Sequence, residues 1–337
     1  MNKVIRTICL FRKNITDQDY KLLDDIFSAL EKGGFVIQTK RICLPKYDPN
    51  IADNELLKKD ILLGLSSITF DDLKENIHNF VASSNKNITL DLTDENITSE
   101  HVDILFNIIE KHPENTFIFT YGFNTPFSSP YFPSAKYGQD GFSVGLQPTD
   151  LAKDCTSLEE WLKLIQDTWN ELDEILSGFD GYLGIDSSIA PAFAGKGSLV
   201  NFIRKIYGSF DKSVVTDIYT RISKFIKKNN PRPIGLCGLM FPCLEDFELT
   251  EEYEKGNFSI ERNIFLSLHS GLGIDTYPIA VNQERGRVLG VLRLIQNLSN
   301  KYKKPLSIRF VSDGKAKIGE KTNFRNQYLK DVIVREF

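Results

Sequence analysis

Little in this chain points to a metal-stapled, disulfide-bonded or membrane protein. Its five cysteines, Cys9, Cys43, Cys155, Cys237 and Cys243, are scattered and odd in number. That excludes a disulfide framework, and the lack of any CxxC pair excludes a zinc site of the usual spacing. The only histidines, His78, His101, His112 and His269, have no ligand-type residue three or four positions further on, which argues against a helical transition-metal site. An excess of one charge is also missing. Forty-one basic residues stand against forty-five acidic ones, a net charge of −4, which does not suit a general nucleic-acid binder. No run approaches the roughly twenty apolar residues that span a bilayer. Basic residues interrupt the short apolar run of MNKVIRTICLFRKN, so it does not read as a signal peptide. The chain is expected to be cytoplasmic, with neither nucleic acid nor membrane as a partner.

Familiar catalytic motifs are absent too. Around Gly195-Lys196, Ala190 stands where a phosphate-binding P-loop needs its first glycine, and Gly197 stands where it needs a hydroxyl. GIDSSIA at 184–190 is not the GxSxG of a nucleophile elbow.

What is present is an ordinary soluble balance, 41% hydrophobic and 26% charged over 337 residues, with length enough to bury roughly three quarters of the unfolded surface. Short apolar runs alternate with helical patterns. Strands are expected at 4–11, 35–44, 88–92, 116–121, 181–186, 234–240, 273–279 and 306–311. Helices are expected at 17–32, 70–82, 99–111, 157–178, 198–208, 214–228, 259–269 and 283–302, several opened by a Ser or Thr at capping position. The alternation favours one α/β domain over 1–337. A closed barrel of about ten strands and a doubly wound sheet both fit it. Two stretches escape the pattern: the Gly-, Pro- and aromatic-rich 122–150, long enough to suggest a functional loop, and the polar segment 312–337.

Candidate chemistry gathers at strand ends. Asp186 follows YLGI and Asp275 follows GLGI, while Glu245 and Asp246 follow GLMFPC. The C-terminal edge of strands is where α/β folds place their sites. Together these four acids would give an acid–base set. Asp186, Glu245 and Asp275 would also suit a divalent cation, Mg²⁺ or Ca²⁺. Separately, each would cap a helix or turn. Gly195-Lys196-Gly197-Ser198 precedes a helix and suits either an anion at the helix start or a plain Ser198 cap. Ser187 and Ser188 beside Asp186, Tyr131 and Phe132 in the long loop, and Arg309 and Lys315 near the last strand complete the expected ligand contacts.

A series of ordered blocks adds a resemblance. SSPYFPSAKY, FSVGLQPTDLA, GIDSSIAPAF, CGLMFPCLED, GLGIDTYPI and KPLSIRFVSDGKAKIGEKTNF follow RTICLF and QTKRI. The series resembles the family called domain of unknown function 711. That resemblance implies a ten-stranded α/β barrel similar to pyruvate formate-lyase. It does not imply radical chemistry: SIRFVSDGK stands where an RVxGY-like glycyl loop would be, and no adjacent cysteine pair occurs in mid-chain. Lys136-Tyr137-Gly138 stands where family members often carry a histidine.

The expected function is binding or conversion of a small polar anionic metabolite in the mouth of the barrel by a homodimeric protein. The alternative is a non-catalytic oligomeric scaffold. Tyr182–Asp186 is expected as a buried strand that aims Asp186 into the cavity. Ser187–Gly197 would then cross the mouth, with Gly195 and Gly197 permitting backbone angles that other residues resist, and Gly197→Ala costing stability if φ is positive there.

Overall fold

The computed structural model describes residues 3–46 and 53–337. Among them are ten strands: β1 (Lys3–Phe11), β2 (Phe35–Ile37), β3 (Lys40–Cys43), β4 (Ile61–Ile68), β5 (Lys86–Asp91), β6 (Phe119–Phe123), β7 (Gly141–Leu146), β8 (Tyr182–Asp186), β9 (Gly273–Pro278) and β10 (Leu306–Val311). They form one sheet in the order β8-β7-β1-β3-β4-β5-β6-β10-β9, with β2 beside β1. The pairs from β1 to β6 are parallel, and the βα alternation of the sequence produces them. Two antiparallel seams flank this block. β7 joins β1 and carries β8 parallel to itself, while β10 joins β6 and carries β9. β1 and β4 are largely apolar, whereas β3 and β5 carry polar residues, among them Arg41 and Asn87, which face a cavity.

Helices cover the outside with one apolar face each. Leu158–Leu176 starts where the Ser157 side chain accepts from the Glu160 N–H, and it buries Trp161, Ile165, Trp169 and Leu172. Truncating either tryptophan to alanine would cost about 3–5 kcal/mol. Asp17–Lys32 begins in a capping box at Thr16, and Phe70–Val81 is capped by Thr69.

The architecture departs from the sequence reading in several places, including the strand expected at 116–121, which begins only at Phe119 after a 3-10 turn at Pro113–Ile118, and the helix expected at 214–228, which begins at Ile218. The single strand expected at 35–44 breaks at Gln38–Thr39, where the Thr39 hydroxyl donates to the Arg6 carbonyl (2.8 Å). β4 and β7 were not expected, the latter lying inside the supposed loop. The strand expected at 234–240 is irregular. Gly235 (φ 76°) and Cys237 (φ 46°) leave the extended conformation there, and Pro233 and Pro242 withhold ladder donors on either side, so only isolated bridges remain, such as Ile189↔Leu239 to one side and Leu239↔Gly271 to the other. The end strands β8 and β9 are therefore not paired with each other; segment 232–244 runs between them.

The remaining part of the long loop lies across one face of the sheet. Thr7 donates to the Pro130 carbonyl (3.3 Å), Thr89 to Pro133 (2.8 Å) and Ser143 to Ser128 (2.8 Å). Two strand glycines make room for its rings. A Cβ on Gly64 would meet Phe132 at 2.7 Å, and one on Gly145 would meet Tyr131 at 2.6 Å. No helix is long and apolar enough to cross a membrane among the described residues.

Candidate functional site

A cavity of about 720 Å³ opens where this loop meets the sheet. Arg6 of β1, Arg41 of β3, Asn87 of β5, Thr120 of β6, Asp275 of β9 and Arg309 of β10 line it. Phe132 and Tyr131 reach it from the loop, and Phe324 to Tyr328 from the C-terminal segment. Two of the arginines sit at irregularities in the sheet. The β1–β7 register shifts between Ile5 and Thr7, and the β10–β9 register between Ile308 and Phe310, opposite Thr276 at φ 38°. Bulges of this kind re-aim side chains and are common beside functional sites.

Glu245 joins the two. It accepts from Arg309 (Nη2–Oε1 2.6 Å) and from Arg6 (Nη2–Oε2 3.1 Å). Arg309 also donates to Asp275 (2.7 Å) and stacks on Phe117, 5.1 Å from the ring centre. Burial, and secondarily Asp275, raise the Glu245 carboxyl above its ordinary value against the pull of Arg309 and Arg6. Burial opposes the charge on Arg309, but Asp275 and Glu245 outweigh it and raise that group.

Arg41 is different. It is buried, donates to Thr39 Oγ1 (3.0 Å) and the Pro130 carbonyl (3.2 Å), and lies 4.8 Å over the Phe132 ring. It forms no ion pair with a carboxylate among the described residues, Glu245 acting on it only from a distance. Burial and the nearby Arg6 push it down to about 10, so it stays charged at neutral pH. Of the lining acids, Glu245 and Asp275 are tied to guanidinium groups, whereas Asp60 and Glu114 are exposed at the rim. The buried part of the cavity thus holds Arg6, Arg41 and Arg309 against two carboxylates.

The expected site residues separate into those at the cavity and those elsewhere. Glu245, Asp275, Arg309, Tyr131 and Phe132 line it. Asp186 does not. It is fully buried and accepts five hydrogen bonds: Ser188 N (3.0 Å), Ser188 Oγ (2.6 Å) and Cys237 N (3.0 Å) at Oδ1, with Ser129 Oγ (2.7 Å) and Leu236 N (2.8 Å) at Oδ2. These bonds stitch the irregular segment 232–244 to β8. Ser188 also accepts from Gly238 N (3.2 Å), and Ser187 donates to the Ile226 carbonyl (3.0 Å).

Asp246 answers the question posed by the glycine turn. Ser198 caps helix Leu199–Tyr207, and the free N–H groups that follow are taken by an internal anion. Asp246 accepts from Ser198 Oγ (2.5 Å), Leu199 N (3.0 Å) and Val200 N (3.4 Å), while also capping helix Phe247–Glu254 through Leu249 N (3.2 Å). Burial pushes Asp246 up to about 7, against those hydrogen bonds. Gly195 donates to Glu248 (2.8 Å), and Lys196 and Lys315 are exposed. The positive φ lies at Gly195 (66°), not Gly197, whose lack of a side chain is required because a Cβ would stand 2.0 Å from the Ala192 carbonyl oxygen.

The cation set expected from Asp186, Glu245 and Asp275 is not assembled. The first is enclosed by N–H and O–H donors and the other two by arginines, and no group of three or more His, Cys, Asp or Glu suited to a metal ion occurs among the described residues. Arg6 and Arg41 were missed. Their signal was an arginine inside each of the apolar strands RTICLF and KRIC, where burial of a charge is costly and rarely idle.

The chain belongs to the family described as Uncharacterised ACR (DUF711), whose profile matches residues 75–326. No curated protein matches it. Among solved structures, an anaerobic ribonucleotide reductase is similar over 92% of this chain and 70% of its own, at 8% identity and a TM-score of 0.30.

Proposed function

We propose that this family member binds a small anionic metabolite in the arginine-lined cavity and acts on it by acid–base chemistry. The observation that carries this reading is Arg41: a buried guanidinium with backbone and hydroxyl partners but no carboxylate among the described residues. An isolated buried charge is expensive. A ligand carboxylate or phosphate is the partner its forked donors suit. Glu245, raised by burial, would donate or accept the proton, while Arg6 and Arg309 hold it in place. We also infer that the sheet curls into a closed barrel, supported by segment 232–244 bonding to β8 through Ile185 N–Arg232 O (2.8 Å) and to β9 through Cys243 N–Asp275 O (2.9 Å).

The test is a thermal-shift series with acetate, succinate, inorganic phosphate and phosphoglycolate. A ligand at one hundred times its dissociation constant adds about 2.7 kcal/mol of stability, and Arg41→Met should abolish the shift. If no anion stabilises the protein, or if Arg41→Met responds as the native chain does, the reading is wrong.

A further inference from the structure

The cavity has a cover whose chemistry is still unassigned. Residues 323–330 form a loop clipped shut at its base. Lys321 and Ile333 make an antiparallel bridge, Thr322 N donates to the Val332 carbonyl (2.8 Å), and Phe324 N donates to Asp331 Oδ1 (2.8 Å). Lys330 N reaches the Leu244 carbonyl (3.0 Å), one residue from Glu245. The tip is anchored over the cavity by Tyr328, whose ring lies 5.5 Å from Phe193 and 6.4 Å from Phe117. Tyr328 N and Leu329 N both bond back to Asn326, so the tip is internally ordered.

Arg325 stands at this tip, exposed to solvent on the rim of the cavity. Its side chain makes no hydrogen bond or ion pair with any described residue, whereas Arg6, Arg204, Arg285 and Arg309 all pair with acids. Its backbone is also held at φ 52°, a conformation that disfavours any residue with a Cβ except asparagine or aspartate. Such strain persists where surrounding structure imposes it, often at ligand clamps. An exposed arginine needs no structural partner; what distinguishes this one is its place on an ordered, strained tip at the cavity rim.

We propose that Arg325 is a second anion-binding residue and that the ligand carries two anionic groups, one met by Arg41 in the sheet and the other by Arg325 on the cover. The inference rests on the anion-binding reading above and deepens it from an anion to a molecule with two separated charges. Carboxylate and phosphate share the chemistry that both guanidinium groups recognise, so each of the ligand's two anionic groups is a carboxylate or a phosphate.

Titration calorimetry on the full chain tests it with succinate and phosphoglycolate as two-group probes, and acetate and inorganic phosphate as one-group probes. The better of the first two identifies the second anionic group. Arg325→Asn removes the charge while tolerating the left-handed backbone, and Arg325→Lys retains the charge. Arg325→Asn should weaken the two-group probes by about tenfold or more, the worth of one charge-assisted contact, and leave the one-group probes and the melting temperature unchanged. Arg325→Lys should recover part of the loss. The proposal is overturned if Arg325→Asn binds two-group probes as tightly as the native chain, or weakens both classes equally. A native chain that binds none of the four probes would overturn the anion reading itself, and this inference with it. Loss on Arg41→Met without loss on Arg325→Asn would overturn this inference alone.

Discussion

Replacing Asp186 by asparagine keeps the shape of the side chain and changes what it offers its neighbours. All five groups around the carboxylate are donors, and three are backbone N–H groups that cannot turn away. An asparagine amide must put its NH₂ on one side. Facing Oδ2's partners, it opposes Leu236 N–H, while Ser129 can rotate to accept. Facing Oδ1's partners, it opposes both Ser188 N–H and Cys237 N–H. The cheaper orientation leaves one backbone donor unsatisfied, at about 1–3 kcal/mol, and turns the other charge-assisted bonds into neutral ones. The expected loss is about 2–4 kcal/mol. Ser129→Ala, which removes one donor and leaves the carboxylate four, should cost about 1 kcal/mol. Urea unfolding with unchanged m-values would measure both. An asparagine variant within about 0.5 kcal/mol of the native chain, the range of neutral surface changes, would refute this account of Asp186.

Arg41→Met should do the reverse, leaving the unliganded protein equally stable or about 1–3 kcal/mol more stable while abolishing anion binding; a large destabilisation in the same unfolding assay would make Arg41 a structural post. Gly197→Ala should cost about 1–3 kcal/mol by overpacking against the Ala192 carbonyl, and more than Gly195→Ala, which has open space and pays only for its positive φ; the opposite ranking of melting temperatures would contradict the geometry. His101 supplies a pH dependence. Its Nδ1 accepts from Thr98 N (3.1 Å) in a capping box, and burial lowers its pKa. The unfolded chain therefore takes up the proton first on acidification, so this stability is full above about pH 6.5 and lost as pH falls through the lower folded value. His101→Gln keeps the reciprocal cap without the titration, and its stability between neutral and mildly acidic pH should be flatter than the native curve.

The parts of the fold that the sequence revealed are those whose signal is local. Thr16, Thr69 and Ser157 announce helices because a cap and an amphipathic face lie within one short window. β7 was hidden because its GFSVGL run lies among turn-forming residues and contains the glycine that Tyr131 needs, a requirement imposed from across the sheet. Residues 234–240 read as a strand by apolar content, yet positive φ at Gly235 and Cys237 breaks the ladder and leaves Asp186 to hold the segment. The same limit applies to the site. An acid at a strand end looks identical whether it turns toward a cavity, as Asp275 does, or into five donors, as Asp186 does. A charge inside RTICLF marks Arg6 as unusual, but its aim into the cavity depends on a register shift between β1 and β7, which lie far apart in the chain.

Asp246 has a consequence for how the molecule opens. One carboxylate receives amides from the first turns of Leu199–Tyr207 and of Phe247–Glu254, so a displacement of Asp246 releases both helix starts together. Openings that move Asp246 should therefore expose the amides of Leu199 and Leu249 to exchange together, although they stand fifty positions apart in the chain. Glu245, the adjacent residue, grips two arginines of the sheet. The outer helices and the cavity wall are thus joined through one peptide bond, and loosening either would be felt at once by the other.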